Sequence, residues 1–428
     1  MGYKVYIGEI ESKWSASGET QITDPLTGTT DGNYFSWKNE YLIYSGTNEW
    51  ILDPVLTCEN RQISSFEFTV PHKLLSPISD ETLNPIYDRI NSHSTKVRIE
   101  EDGEVLWLGT VTEIALQFDL SKKVVCSDAL HYTTHISMYM NLTEKRTISE
   151  MIESFLCVRI VGDFPGVMFP IRKGLVNFPT SIKIDFSKYG SSIQTMWATV
   201  QEMVFENYPG YLRLRYLKNP TYTDRWVIAV DYLMDIDEKT SQSIEFGKNL
   251  IDLEVTEDSD DLVNHVTAIG QKTVKSGWWI WEKTTTEEIS ATAEDPDSEN
   301  AYGLYMSMVV SDTDTTEAAL ATLAQNTLKS YKQKPSKTLK LTAFDSRDAG
   351  VNTDHIGFLK KSDIISPPHD LNEPMVCTKA TIYLAASDRK EFVYGTPPDA
   401  LTKLQNQSMS HDNRSQTTLR GLVSKAQG

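Results

Sequence analysis

Cysteine is scarce in this chain, and none of it is arranged for covalent or metal work. Cys58, Cys126, Cys157 and Cys377 stand far apart, with no Cys-x-x-Cys pair. That spacing excludes a zinc ribbon and gives no disulfide framework, and it fits reduced, buried thiols made in a cytosol. Long hydrophobic runs are missing too: no window approaches the roughly eighteen apolar residues of a membrane-spanning helix. The opening residues 1–8 alternate like a strand. They lack the basic head and apolar stretch of a signal peptide, and Gly2 does not sit in a myristoylation context.

Positive charge is in deficit. Lys and Arg total 41 against 59 Asp and Glu, a formal net charge of −18. No Lys/Arg stripe interleaves with aromatics, so specific nucleic-acid binding is not expected; the charge itself favours solubility. Catalytic signatures are absent as well. A cell-wall peptidase needs a Cys–His pair or a zinc set such as His-Glu-x-x-His, and neither is present. No Gly-x-Ser-x-Gly elbow or Walker loop occurs. With 59 acidic residues accidental carboxylate pairs are expected, and a glycosidase pair is recognisable only in space. The expectation is therefore no catalytic residue, no cofactor and no metal.

What is present is a soluble globular composition, 39% hydrophobic and 23% charged, over 428 residues. That length predicts roughly two to four domains. Residues 1–15 read as one strand, and 16–48, rich in Ser, Thr, Gly, Asp and Asn, as a long polar excursion. Strands follow at 50–56 and 63–70, the latter strictly alternating up to Pro71. A hairpin spans 94–112 around Glu101-Asp102-Gly103, and further strands are expected at 111–118 and 123–127. Residues 147–157 have helical spacing with Thr147 or Ser149 as N-cap, and 191–207 a second helix capped by its Ser pair and stopped by Pro209-Gly210. Strands are also read at 182–186 and 211–216.

Residues 244–250 read as strand and tight turn, because Gly247 permits positive φ and Asn249 tolerates the left-handed region. An acidic loop over 254–261 and a strand over 263–270 follow, then a variable polar stretch to about residue 300. A helix is expected from Thr316 to Lys334, with apolar positions 320, 323, 324, 328 and 331 on one face. The last strands are read at 338–344, 376–384 and 391–394.

Three groups of residues invite a functional reading. His131 and His135 would share a helix face and could hold a metal, but they follow a strand and no third ligand is near in sequence, so the spacing is read as accidental. The run 254–261 lacks the spacing of a calcium loop and reads as solvated. Trp278, Trp279 and Trp281 read as an interface anchor, a sugar platform or ordinary strand packing.

Several of these segments resemble one family. Phe246-Gly247-Lys248-Asn249-Leu250, continued to Gly270, resembles the strand–turn–strand signature of phage tail hub proteins. These form the tail-associated family of long-tailed phages, often called prophage endopeptidase tail proteins, related to the baseplate hubs of contractile tails. Residues 51–71, the hairpin with Gly103 and Gly109, residues 124–132, the helix 191–207 with Gly210, and segments at 301–303, 316–345 and 384–395 are similar to parts of the same family in the same order. The resemblance covers roughly 50–396. The chain departs from the family in the polar insertion 16–48 and in carrying no peptidase or glycan hydrolase up to residue 428.

The resemblance implies a mainly β fold with α/β inserts. Residues 1–137 would form a first β barrel and 138–240 an α/β insert; 241–280 with 335–397 would form a second barrel, 281–334 a helical or mixed insert, and 398–428 a linker or docking tail. It further implies a homotrimeric ring in the virion tail, made in the bacterial host cytoplasm, that takes part in host attachment and genome ejection. Such a ring would adapt the sixfold tail tube and distal tail ring above to a threefold spike, fibre, tape-measure or lytic protein below. The competing expectations are a tail-associated cell-wall endopeptidase and a virion carbohydrate-binding β protein, the latter prompted by nine Trp and nineteen Tyr.

Overall fold

The computed structural model describes residues 2–14, 22–31, 33–46, 48–74, 82–138, 144–157, 168–186, 194–208, 210–259, 262–276, 283–331, 333–386 and 390–395. The fold is mainly β. Two compact units emerge, one of residues 1–254 with 339–397 and one centred on residues 255–338. Trp278, Trp279 and Trp281, and the segment 398–428, lie outside the described residues.

In the first unit Tyr3–Trp14 is flanked on both sides, by Asn33–Ser45 and by Lys96–Glu101, each antiparallel. The order continues through Glu104–Leu116, Lys122–Asp128, Ser65–Val70 and Leu52–Glu59. Asn33–Ser45 corrects the reading of 16–48 as an excursion. Its interior (Lys38 to Glu40) is polar and exposed, which masks the β-forming Tyr34, Phe35, Trp37, Tyr41, Ile43 and Tyr44 on either side. The earlier part of that insertion is tied down by charge. Asp24 is fully buried and takes two hydrogen bonds from Arg215, at 2.9 and 2.7 Å, while Arg215 also holds the buried Asp231 at 2.6 Å. Burial opposes ionisation of Asp24, but the Arg215 hydrogen bonds, the Leu26 N–H and the nearby Arg172 outweigh it and lower its pKa to about 2.

Leu371–Tyr383 serves three neighbours. Its first half pairs with Lys361–Ser366, its second half with Leu52–Glu59, and Lys390–Gly395 runs along its end. Arg225–Leu233, which is not among the expected strands, lies between Tyr211–Lys218 and the parallel Ile171–Val176. Seven consecutive residues of it, Val227 to Leu233, are buried, and Asp231 is the only charge among them.

Two large apolar cores dominate the described residues of this unit. One lies among the strands just described and centres on Phe66, Phe68, Trp107 and Val124. The other gathers round the helices Ile148–Leu156 and Met196–Val200. Thr147 caps the first helix through a capping box with Glu150. The second is shorter than the expected 191–207. Thr195 is its cap, accepting from the Ala198 N–H, and the chain continues as one wide π turn over Gln201–Phe205, closed by Glu206 N–H on the Gln201 carbonyl. The spacing still delivers Met196, Trp197, Val200, Met203 and Val204 to the core.

In the second unit His265–Ser276 is the central strand, antiparallel to Lys283–Glu294 along its whole length and parallel to Met306–Asp314. The stretch up to residue 300, expected to be a variable polar one, thus holds a regular strand. Half-buried Ile289, Ala291 and Ala293 alternate with exposed Glu288, Ser290, Thr292 and Glu294, which suits a half-exposed sheet despite the polar composition. The acidic residues 254–258 likewise continue the strand Leu250–Asp258. Glu317–Ser330 is the expected amphipathic helix, capped by Thr316, with Leu320, Ala324 and Leu328 against the sheet. It ends at Tyr331, which turns extended ahead of Pro335.

Gly109 marks the tightest place in the first core. A Cβ there would sit 2.1 Å from the Trp107 ring and 2.5 Å from the Ser127 carbonyl oxygen. Because backbone cannot yield as a flexible side chain can, Gly109→Ala should destabilise the protein by about 1–3 kcal/mol or more. Urea unfolding checks this; an unchanged midpoint would show that Trp107 can move aside.

Candidate functional site

The turn singled out in the sequence is built around Asn249. Ile244–Glu245 pairs in parallel with Ile364–Ile365, and the chain reverses through Gly247 at φ 78°. Asn249 is buried. Its Oδ1 accepts from the Glu245 N–H at 2.8 Å, and its Nδ2 donates to the Ser243 carbonyl at 2.9 Å. Phe246 bridges to Leu250, and its ring stays about half exposed beside His369. Gly103, at φ 90° after Asp102 at φ 52°, makes a type I′ hairpin turn. Gly210 faces the Leu233 carbonyl and the Phe178 and Tyr232 rings, and Gly270 faces Thr315 and Leu320, each too close for a side chain. These positions serve backbone geometry, are scattered through the fold, and form no common pocket.

A denser chemical centre was not legible in the sequence. Lys390 is buried, and its Nζ lies 3.2 Å from Glu101 Oε1 and 3.1 Å from Asp345 Oδ2. Asp348 Oδ2 lies 3.1 Å away as an ion pair without hydrogen-bond alignment. The Tyr3 hydroxyl donates to Glu101 at 2.7 Å, and Gln242 Nε2 donates to Asp345 Oδ1 at 2.7 Å. His355 bridges two acids, with Nδ1 3.0 Å from Asp345 and Nε2 3.2 Å from Asp102, and Arg347 stands 3.5 Å from Asp102. Four carboxylates thus surround one lysine, one histidine and one arginine, drawn from the two ends of the unit.

Burial opposes the charge of Lys390, yet the carboxylates of Glu101, Asp345 and Asp348 outweigh it and hold the ammonium firmly charged. Burial likewise opposes ionisation of Asp345, but its bonds to His355, Gln242 and Lys390 keep it far below the usual carboxylate range. Asp348 goes the other way: burial and the neighbouring Asp345 and Glu101 raise it, against the pull of Lys390. Burial and Lys390 resist charging of His355, while Asp345 and Glu101 prevail and raise it above 6.5.

A cavity of 570 Å³ opens beside this cluster, lined by Glu101, His355, Lys390, Cys58, Arg213 and Arg215 among others. It does not resemble a hydrolase site. A general base needs one ring nitrogen free towards its substrate, and both nitrogens of His355 are held by aspartates. Burial pushes the Cys58 thiol up to about 12, so it is no nucleophile at neutral pH, and Cys126 and Cys377 are also raised by burial. Glu101, Asp348 and His355 have the spacing of a metal set, but Lys390 already supplies a cation there.

His131 and His135 are brought together more closely than expected. They sit on and just past the 3-10 helix Ala129–Thr134, and their Nε2 atoms lie 3.0 Å apart. No third ligand joins them among the described residues.

No family model matches the chain, and no curated protein sequence matches it. Among solved structures the chain is similar to prophage tail proteins. Prophage tail protein gp18 of Listeria monocytogenes EGD-e is 11% identical, with 94% of this chain and 98% of that one covered and a TM-score of 0.48. The 43 kDa tail protein of prophage MuSo2 from Shewanella oneidensis is 12% identical over 92% and 99%, with a TM-score of 0.47. The tail protein of Neisseria meningitidis MC58 is 11% identical over 94% and 98%, with a TM-score of 0.48.

The buried cluster generates two expectations. Lys390→Met strands buried carboxylates and should cost about 3–5 kcal/mol, part of it recovered when Asp345→Asn is added; chemical denaturation of the single and double variants measures both. For His355 the folded pKa is raised. Its contribution to stability is therefore fully present below 6.5 and lost as pH rises through the folded pKa. A stability–pH profile should show that loss in the parent protein and not in His355→Gln.

Proposed function

We propose that the chain is a structural hub of a phage tail tip or of a phage-tail-like particle. One observation carries the reading: segments resembling the hub family recur in family order over residues 50–396. The positions on which the resemblance rests are ones where backbone geometry leaves little choice. Gly109, Gly210 and Gly270 have no room for a side chain, Gly103 and Gly247 occupy left-handed turns, and Asn249 fastens its own turn. Such positions outlast most of a surface, because replacing them strains the backbone or opens the core.

In this reading three copies form a ring whose two β domains per chain, each a small barrel, present six similar units to the tail tube and distal ring above. Below, the ring meets a threefold spike, fibre, tape-measure or lytic protein. The Trp278, Trp279 and Trp281 group belongs to an interface in that assembly. Residues 398–428, polar and with Leu401, Leu404, Met409, Leu419, Leu422 and Val423 too sparse for a core of their own, dock the distal component. The role is structural and the location is the virion tail. The buried, protonated thiols and the doubly held His355 count against an endopeptidase.

The mass of the purified protein and images of assembled tails test the ring. A trimer is expected, and monomers or dimers persisting in assembled tails would refute it. Purified protein should release no fragments from peptidoglycan; release abolished by substituting one cysteine, histidine or carboxylate would establish an enzyme instead. Deleting 400–428 should leave the ring on the upper tail while the distal component is lost.

A further inference from the structure

We propose that His265, Glu294 and Glu299 form a binding site for a divalent transition metal, with Zn²⁺ the best fit. The three side chains each offer one ligand atom, and all three atoms lie within 4.8 Å of one another. His265 Nδ1 is 3.0 Å from Glu299 Oε1 and 3.8 Å from Glu294 Oε2. Ligand atoms bound to one zinc at about 2.0–2.2 Å stand roughly 3–3.6 Å apart, so only a small movement of the Glu294 carboxylate is needed.

The backbone around the three is fixed before any ion arrives. His265 and Glu294 are directly paired residues at the end of the antiparallel strands His265–Ser276 and Lys283–Glu294. Glu299 comes from the helix Pro296–Tyr302 that follows at once. Asn264, fully buried next to His265, locks that helix to the strand. Its Nδ2 donates to the Gly303 carbonyl at 2.6 Å and to Ser298 Oγ at 3.3 Å, and its Oδ1 accepts from the Tyr305 N–H at 2.8 Å. The Asp295 N–H donates to the Asn264 carbonyl at 2.9 Å, and Asp295 caps the helix through Ser298. All three ligands therefore hang from one hydrogen-bonded frame.

The donor chemistry selects the metal class. One imidazole nitrogen with two carboxylates neutralises a divalent charge and suits Zn²⁺ or Mn²⁺, whereas Ca²⁺ takes six to eight oxygens and Mg²⁺ keeps an oxygen shell. Glu294 is exposed while His265 is largely covered, so one side stays open for water to complete the coordination. A bound ion would tie both strands and the helix at one point. The pair His131 and His135 supplies only two ligands and serves as the internal control.

The test is calorimetric titration of the full chain with Zn²⁺, beside a His131→Asn/His135→Asn variant, a His265→Asn variant and a Glu294→Gln variant. Glu294→Gln alters an exposed side chain and should leave folding intact, which circular dichroism checks. The expected result is one site per chain that persists in the His131/His135 variant. It should weaken about a hundredfold in His265→Asn and Glu294→Gln, since even outer-shell partners are worth about 10–100-fold. Binding unchanged in Glu294→Gln, or abolished by the His131/His135 substitutions, would overturn the proposal, as would no binding at all.

Discussion

One buried ammonium holds the first unit in register. Lys390 carries a charge into a buried position, where an unpaired ion would cost several kcal/mol. It is tolerated there only because Glu101, Asp345 and Asp348 converge on it, and those acids are tolerated only because it is there. Glu101 ends a strand beside Tyr3, Asp345 follows the strand Ser336–Ala343, and Lys390 opens the strand Lys390–Gly395. The mutual need of these charges thus fixes where the beginning and end of the unit meet. A slip of one residue here would leave a bare buried carboxylate as well as turn the strand's apolar face to solvent.

The same device recurs elsewhere at smaller scale. Arg215 spans Asp24 and Asp231, and so fastens the mostly polar segment 22–31 onto the strands of Arg215 and Asp231; Ile22 is its residue that packs with Val227 and Leu217 of the same strands. Asp128, fully buried, accepts from the Ser64 and Leu130 N–H groups and joins a loop to the 3-10 helix that carries His131. In an acidic chain such placements turn surplus carboxylates into specific joints, with the apolar cores supplying the bulk of the driving force.

How far the sequence was legible follows from these particulars. Ser65–Val70 alternates without interruption and could be read directly; so could the Asp102-Gly103 hairpin and the helix at Glu317–Ser330. Asn33–Ser45 could not, because its middle is exposed and polar while only its ends are buried. The helix after Thr195 was read too long, since its apolar spacing continues through a π turn that periodicity does not distinguish from α. At the site the contrast is sharper. Gly247 and Asn249 announce a local turn and are local in the structure. In the Lys390 cluster the bond from Lys390 to Glu101 spans 289 positions, and no spacing rule reaches that far. His265 stands inside the segment that runs from Phe246 to Gly270, but its partners Glu294 and Glu299 come from a stretch whose composition reads only as variable and polar.

The strand Leu371–Tyr383 has a consequence for how the chain is made. Its residues 379–383 pair with 55–59, so one side of an early strand waits until nearly the whole described chain has left the ribosome. Until then the edge at Leu52–Glu59 offers unpaired N–H and carbonyl groups to any passing strand. Long-range closure of this kind is slow, because the entropy of ordering the intervening loop is lost before the contacts form. Its timing is therefore set by translation as much as by chemistry: the molecule completes its first sheet almost last.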